Sequence, residues 1–151
     1  MKPIFPLQTA LAASLLLTAV PIHASHLHPH PRVKTGLQVL HEAHYSPLTN
    51  RKTLILTNPT GITPNLDLGV DVMFESGLVD LVGVMGPEHG FRGTAQAGEP
   101  GETFVDEITG LTVYDAYLAN TTTLMGYIEE SGAEVVVFDI QDVGARFYTC
   151  E

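Results

Sequence analysis

Short apolar runs alternate along this chain with stretches in which apolar side chains recur every three or four positions. Residues 52–57 (KTLILT), 79–85 (VDLVGVM), 111–114 and 134–140 (EVVVFDI) are apolar, mostly rich in β-branched side chains, and each predicts a strand. The first stops at Asn58-Pro59-Thr60-Gly61, a turn signal, and the second opens a long glycine-rich loop running through Glu102. Helical spacing falls between the strands. Residues 35–45 place Leu37, Leu40 and His44 near one face. Residues 65–77 gather Leu66, Val70, Met73 and Phe74, with Gly77 suited to the end. Residues 120–131 turn Leu124, Tyr127 and Ile128 inward and stop at Gly132. Helices alternating with near-continuous apolar strands predict an α/β fold with a doubly wound parallel sheet, buried on both faces by flanking helices.

The first residues read differently. Lys2 precedes the unbroken apolar stretch ALAASLLLTAV, Pro21 breaks it, and Ile22-His23-Ala24 ends on a small residue. That layout predicts a signal peptide over residues 1–24, too short to anchor the chain in a bilayer. The expectation is therefore a secreted or periplasmic protein with no stable membrane association. Residues 25–34 (SHLHPHPRVK) form a His- and Pro-rich linker whose alternating histidines offer at most a loose metal site. Residues 35–151 are left for one domain, and in an exported chain Asn120-Thr121-Thr122 is a glycosylation sequon.

Composition narrows the function. Apolar residues make up 44% of the 151 positions and charged ones 16%, which suits a packed core. Seven Lys plus Arg against seventeen acidic residues give a net charge of −10 and no basic stripe, so nucleic acid is not an expected partner. The single cysteine, Cys150, excludes an internal disulfide. No Gly-x-Gly-x-x-Gly, phosphate loop, Gly-x-Ser-x-Gly elbow or spaced Cys/His set is present, so neither a cofactor nor a metal is expected.

In open α/β sheets, ligands bind beyond the carboxyl ends of the strands. Three loops that leave such ends are rich in polar residues: 57–61, 86–98 (GPEHGFRGTAQAG) and 141–148 (QDVGARFY). Their convergence would set Asn58, Glu88, His89, Arg92, Asp139, Gln141, Asp142, Arg146 and Tyr148 around one cleft. Glu88, just past a buried strand, is the leading candidate for a general acid raised by desolvation; otherwise it is a loop glutamate paired with Arg92. His89 either orients Glu88 or a substrate hydroxyl, or is structural. Arg92 and Arg146 suit a substrate carboxylate, or else bridge Glu88, Asp139 or Asp142 internally. Asp139 or Asp142 is a candidate second carboxylate of the kind glycoside hydrolysis uses, and Asp139 alternatively caps a helix starting near Val143.

Thr57-Asn58-Pro59-Thr60-Gly61, then Gly86-Pro87-Glu88-His89-Gly90-Phe91-Arg92-Gly93 with Gln96-Ala97-Gly98, then the run from Phe138 to Thr149 (FDIQDVGARFYT) together resemble the exo-β-N-acetylmuramidase family, DUF1343. The likeness extends over about residues 36–149. It implies a Rossmann-like N-terminal domain followed by a smaller C-terminal one, a site in the cleft between them, and Glu88 as prime catalytic carboxylate. It also implies a small carbohydrate substrate of the muropeptide or MurNAc-GlcNAc type, from which terminal N-acetylmuramic acid is released. The lactyl carboxylate of that sugar would give Arg92 or Arg146 a partner. Family members continue past residue 151, and Cys150 stands where an aromatic or aliphatic residue is expected, so the chain reads as the N-terminal part of such an enzyme. The alternative is a sugar-binding or inactive fragment of that family.

Overall fold

The computed structural model describes residues 33–98, 101–141 and 143–144. The expected signal peptide, all but two residues of the expected linker, and Asp142, Arg146, Tyr148 and Cys150 lie outside the described residues.

Helix α1 (Gly36–Glu42) begins where the Thr35 hydroxyl accepts the Gln38 N–H at 3.1 Å. It ends three residues earlier than its spacing predicts, because His44 and Tyr45 take left-handed backbone angles, with φ of 50° and 54°. The turn exposes His44 and buries Tyr45, whose hydroxyl meets His41 Nδ1 at 2.8 Å. A single 3₁₀ turn, Ser46–Leu48, leads to strand β1 (Lys52–Thr57).

Helix α2 (Gly69–Ser76) is also shorter than predicted. Residues 65–68 are held in a loop instead: Thr63 N–H donates to the Asp67 carbonyl, and Ile62 bridges Leu68. Leu66 is consequently exposed, with φ of 70°, and Phe74 lies 41% exposed; Val70 and Met73 alone keep the predicted burial. Strand β2 (Asp80–Gly86) follows, then two strands joined as a hairpin, β3 (Phe104–Val105) and β4 (Thr112–Asp115). Helix α3 (Thr121–Ser131) is capped by Asn120, whose side chain accepts the Thr123 N–H at 2.9 Å. Strand β5 (Val135–Asp139) completes the sheet.

The strand order is β3-β4-β2-β1-β5, parallel except for β3. Its parallel part, β4-β2-β1-β5, follows the 3-2-1-4 order of the Rossmann fold, with the switch point between β1 and β5. The Rossmann-like doubly wound sheet is thus present, and β3 adds an antiparallel edge that two residues were too short to announce. Alternate side chains of β1, β2 and β4 feed two cores. Ile55, Val84 and Val113 join Leu37, Val70 and Met73 beneath α1 and α2. Leu54, Met85 and Tyr114 join Leu124, Tyr127 and Ile128 of α3 on the opposite face. Strand β5 differs from its expected full burial: Val135 and Val137 pack on the first core, while Val136 and Phe138 remain exposed.

Candidate active site

Buried β2 delivers the chain to the carboxyl edge of the sheet, where Gly86 turns it sharply. A Cβ there would stand 2.8 Å from the Phe91 nitrogen, so the loop folds back too closely for any side chain. Phe91, 1% exposed, plugs the loop into the core under α1 and α2. His89 has φ of 67°, its carbonyl accepts the Ala95 N–H at 3.1 Å, and its Nδ1 lies 3.2 Å from the Ala95 carbonyl. The imidazole is therefore tied to its own loop.

Glu88 sits at the crest of this loop. Its Oε1 accepts the Gly98 N–H at 3.1 Å, and its carboxylate is close enough to the Tyr117 phenol to act on it electrostatically. Desolvation raises that phenol above its ordinary value, and the nearby Glu88 carboxylate raises it further. Tyr117 follows β4, whose end is joined to that of β2 where Ala116 N–H donates to the Gly86 carbonyl at 2.8 Å. Asp115, the last residue of β4, accepts the N–H groups of Gly101 at 2.5 Å and Tyr117 at 3.0 Å. Glu88, His89, Asp115 and Tyr117 line one cavity of about 50 Å³. Small-molecule pockets run to roughly 300–1,000 Å³, so this cavity alone is too small to enclose a ligand. A carboxylate beside a phenol can pass a proton to or from a bound hydroxyl or leaving oxygen.

Arg92 lies elsewhere. Its Nε and Nη2 donate to Asp106 at 2.6 and 2.8 Å, and its Nη1 and Nη2 donate to Asp71 at 2.9 and 2.7 Å. The internal bridge considered for this arginine exists, and among the described residues its partners are Asp71 and Asp106; Asp142 lies outside the described residues. The guanidinium is closed on two sides by carboxylates and is held above its already high ordinary value by them. It braces the loop against α2 and against the β3–β4 turn, leaving little of its donor set for a substrate carboxylate.

The remaining described candidates gather at the switch point. Asn58 is buried, and its Oδ1 accepts the Thr60 N–H at 3.1 Å and the Thr60 hydroxyl at 2.7 Å, a turn-forming use of asparagine. Thr60 also meets the Gln141 side-chain amide. Asp139, at the end of β5, has an Oδ2 atom shut away from solvent with no hydrogen-bond partner among the described residues. Burial pushes its carboxyl above the usual range. Gly61 makes room for it, since a Cβ would stand 2.9 Å from that Oδ2 and 2.2 Å from Thr57 Oγ1. The loops after β1 and β2 touch where Gly93 lies against Pro59, a Cβ there being 2.9 Å from Pro59 Cγ. The structure thus brings Glu88 and His89 together on one side, and Asn58, Gln141 and Asp139 on the other. Sequence reasoning missed Asp115 and Tyr117, although the strand-end rule that flagged the other three loops applies equally to the end of β4.

Residues 53–151 match the family model described as exo-beta-N-acetylmuramidase NamZ, N-terminal. The peptidoglycan beta-N-acetylmuramidase NamZ of Bacillus subtilis (strain 168) is 34% identical over 151 residues, which cover 98% of this chain and 36% of that protein. A crystal structure of a DUF1343 family protein from Bacteroides fragilis NCTC 9343 superposes with a TM-score of 0.64 at 37% identity, covering 80% of this chain and 29% of that one. The chain thus spans about a third of the length of the relatives it matches. With the family model matching residues 53–151 and a relative 34% identical over the chain, this chain belongs to the exo-β-N-acetylmuramidase NamZ family, as its N-terminal part.

Proposed function

We propose that this chain supplies the acid-bearing wall of a secreted glycoside hydrolase that releases terminal N-acetylmuramic acid from peptidoglycan fragments. The observation that carries the reading is Glu88, held by the Gly98 N–H at the carboxyl end of a central parallel strand, on a cavity wall it shares with Tyr117. Glu88 protonates the leaving glycosidic oxygen, and Tyr117 orients the carboxyl for that transfer. Family membership supports the substrate class, because the curated relative is a peptidoglycan beta-N-acetylmuramidase. The small volume of the cavity gives the wall a partner surface to find in further chain, as the greater length of the relatives suggests.

The test is release of free N-acetylmuramic acid from MurNAc-GlcNAc by the protein, with Glu88→Gln alongside. Loss of release in the variant, with its thermal melt unchanged, supports the assignment. Equal turnover by Glu88→Gln would remove Glu88 as the acid. Saturable sugar binding without release would favour a binding module, the reading that the small cavity also fits.

A further inference from the structure

Beside the Glu88 cavity lies a second and larger one, of about 470 Å³, and Gly90, Ala95 and Phe104 line both. Its wall carries Val105 and Ile108, exposed by 62% and 68%, and Phe104 itself is 53% exposed on the short strand β3. Three large apolar side chains exposed within five residues serve no core, and they border a space of ligand size. The charges around it are one-sided. Asp106 and Glu107 line this cavity, and Glu88, Glu102 and Asp115 line its neighbour. The one lysine or arginine among the described lining residues, Arg92, is already taken by Asp71 and Asp106.

We infer that Phe104 is the platform of a subsite for a neutral sugar ring, the leaving-group sugar of the substrate, which reaches from the Glu88 cavity into the larger one. A pyranose has one face of C–H groups that packs on an aromatic ring, while its hydroxyl edges stay wet or find polar partners such as Glu102 and Glu107. The carboxylate rim and the closed guanidinium select against an anionic ring here, so the sugar bearing a lactyl carboxylate belongs on the other side of Glu88. Neutral N-acetylglucosamine meets these demands. The name "leaving-group sugar" rests on the hydrolase reading, whereas the binding itself does not.

The probe is methyl β-N-acetylglucosaminide, titrated into the protein and followed by saturation-transfer and amide-shift NMR, with N-acetylmuramic acid as the anionic comparison. The neutral sugar is expected to saturate the site and to perturb residues 104–108. Phe104→Ala should weaken it about tenfold or more, and Phe104→Trp should keep it. Phe104 is exposed, so neither change threatens the core. No binding of the neutral sugar, binding indifferent to Phe104→Ala, or Phe104-dependent preference for the anionic sugar would each overturn the proposal. Because this readout needs no turnover, its failure is separate from failure of the Glu88→Gln assay.

Discussion

Asp106 and Asp139 are two carboxylates withdrawn from water at opposite sides of the sheet, and their surroundings pull them in opposite directions. Asp106 accepts two N–H groups of Arg92 and the N–H and hydroxyl of Thr109, at 2.6–2.9 Å. The Arg92 guanidinium beside it, helped by Thr109, holds its carboxyl far below the ordinary range. Asp139 has Oδ2 without a donor among the described residues, and burial pushes it up. The difference teaches that burial alone does not fix the state of a carboxylate; the donors aimed at it do. The Asp106 side is a brace, locked as an ion pair. The Asp139 side is a crevice in which a proton is comparatively easy to hold.

The sharpest test of this contrast is which side carries the chemistry. Glu88→Gln, in the braced loop, is expected to lower turnover by about 10²–10⁴-fold, while Asp139→Asn loses less; a larger loss at Asp139 would break the comparison by moving the acid to the crevice. Next comes the brace itself. Arg92→Ala leaves two partly buried carboxylates facing each other and should cost about 3 kcal/mol in a urea titration, with Arg92→Lys recovering only part because it lacks the planar fork. A smaller effect is expected at the crevice, where Gly61→Ala forces a methyl against Thr57 and Asp139 at about 1–3 kcal/mol.

The smallest effect is one of pH, and its sign differs between the two sides. Asp106 is depressed in the folded state, so its contribution is fully present above the unfolded value of about 3.9 and is lost as pH falls through its own lower value. Between pH 5 and 8 the brace should therefore be indifferent to pH. Asp139 is raised in the folded state, so stability declines as pH rises from about 3.9 through its folded value. Asp139→Asn should accordingly gain about 1 kcal/mol at neutral pH, and the gain should shrink to nothing on acidification. Thermal melts of both proteins from pH 4 to 8 decide it; a gain that grows as pH falls would mean that Asp139 has found a donor.

The sheet was legible because its strands announce themselves: KTLILT, VDLVGVM and EVVVFDI are apolar runs that only burial explains. The helix stops at Gly77 and Gly132 were equally readable, being set by local chemistry. The start of α2 was not, since Leu66 matches the helical period and only the Thr63–Asp67 loop contacts exclude it. Glu88 could be picked out from its place after a strand. The partners of Arg92 could not, because Asp71 and Asp106 lie 21 and 14 residues away and no spacing rule connects them. Phe104 escaped for a related reason: a two-residue strand leaves no period to read.

The strand order also dictates when the fold can form. Strand β1 pairs with β2 after one short helix, but its other edge waits for β5, with Thr53 opposite Val135 and Leu56 opposite Phe138. Some eighty residues must be made and gathered before that pairing closes, a loop entropy that favours late commitment. Until then Leu54 and Ile55 belong to an open edge, and a growing chain of this sequence is most exposed to mispairing just before residue 135 emerges.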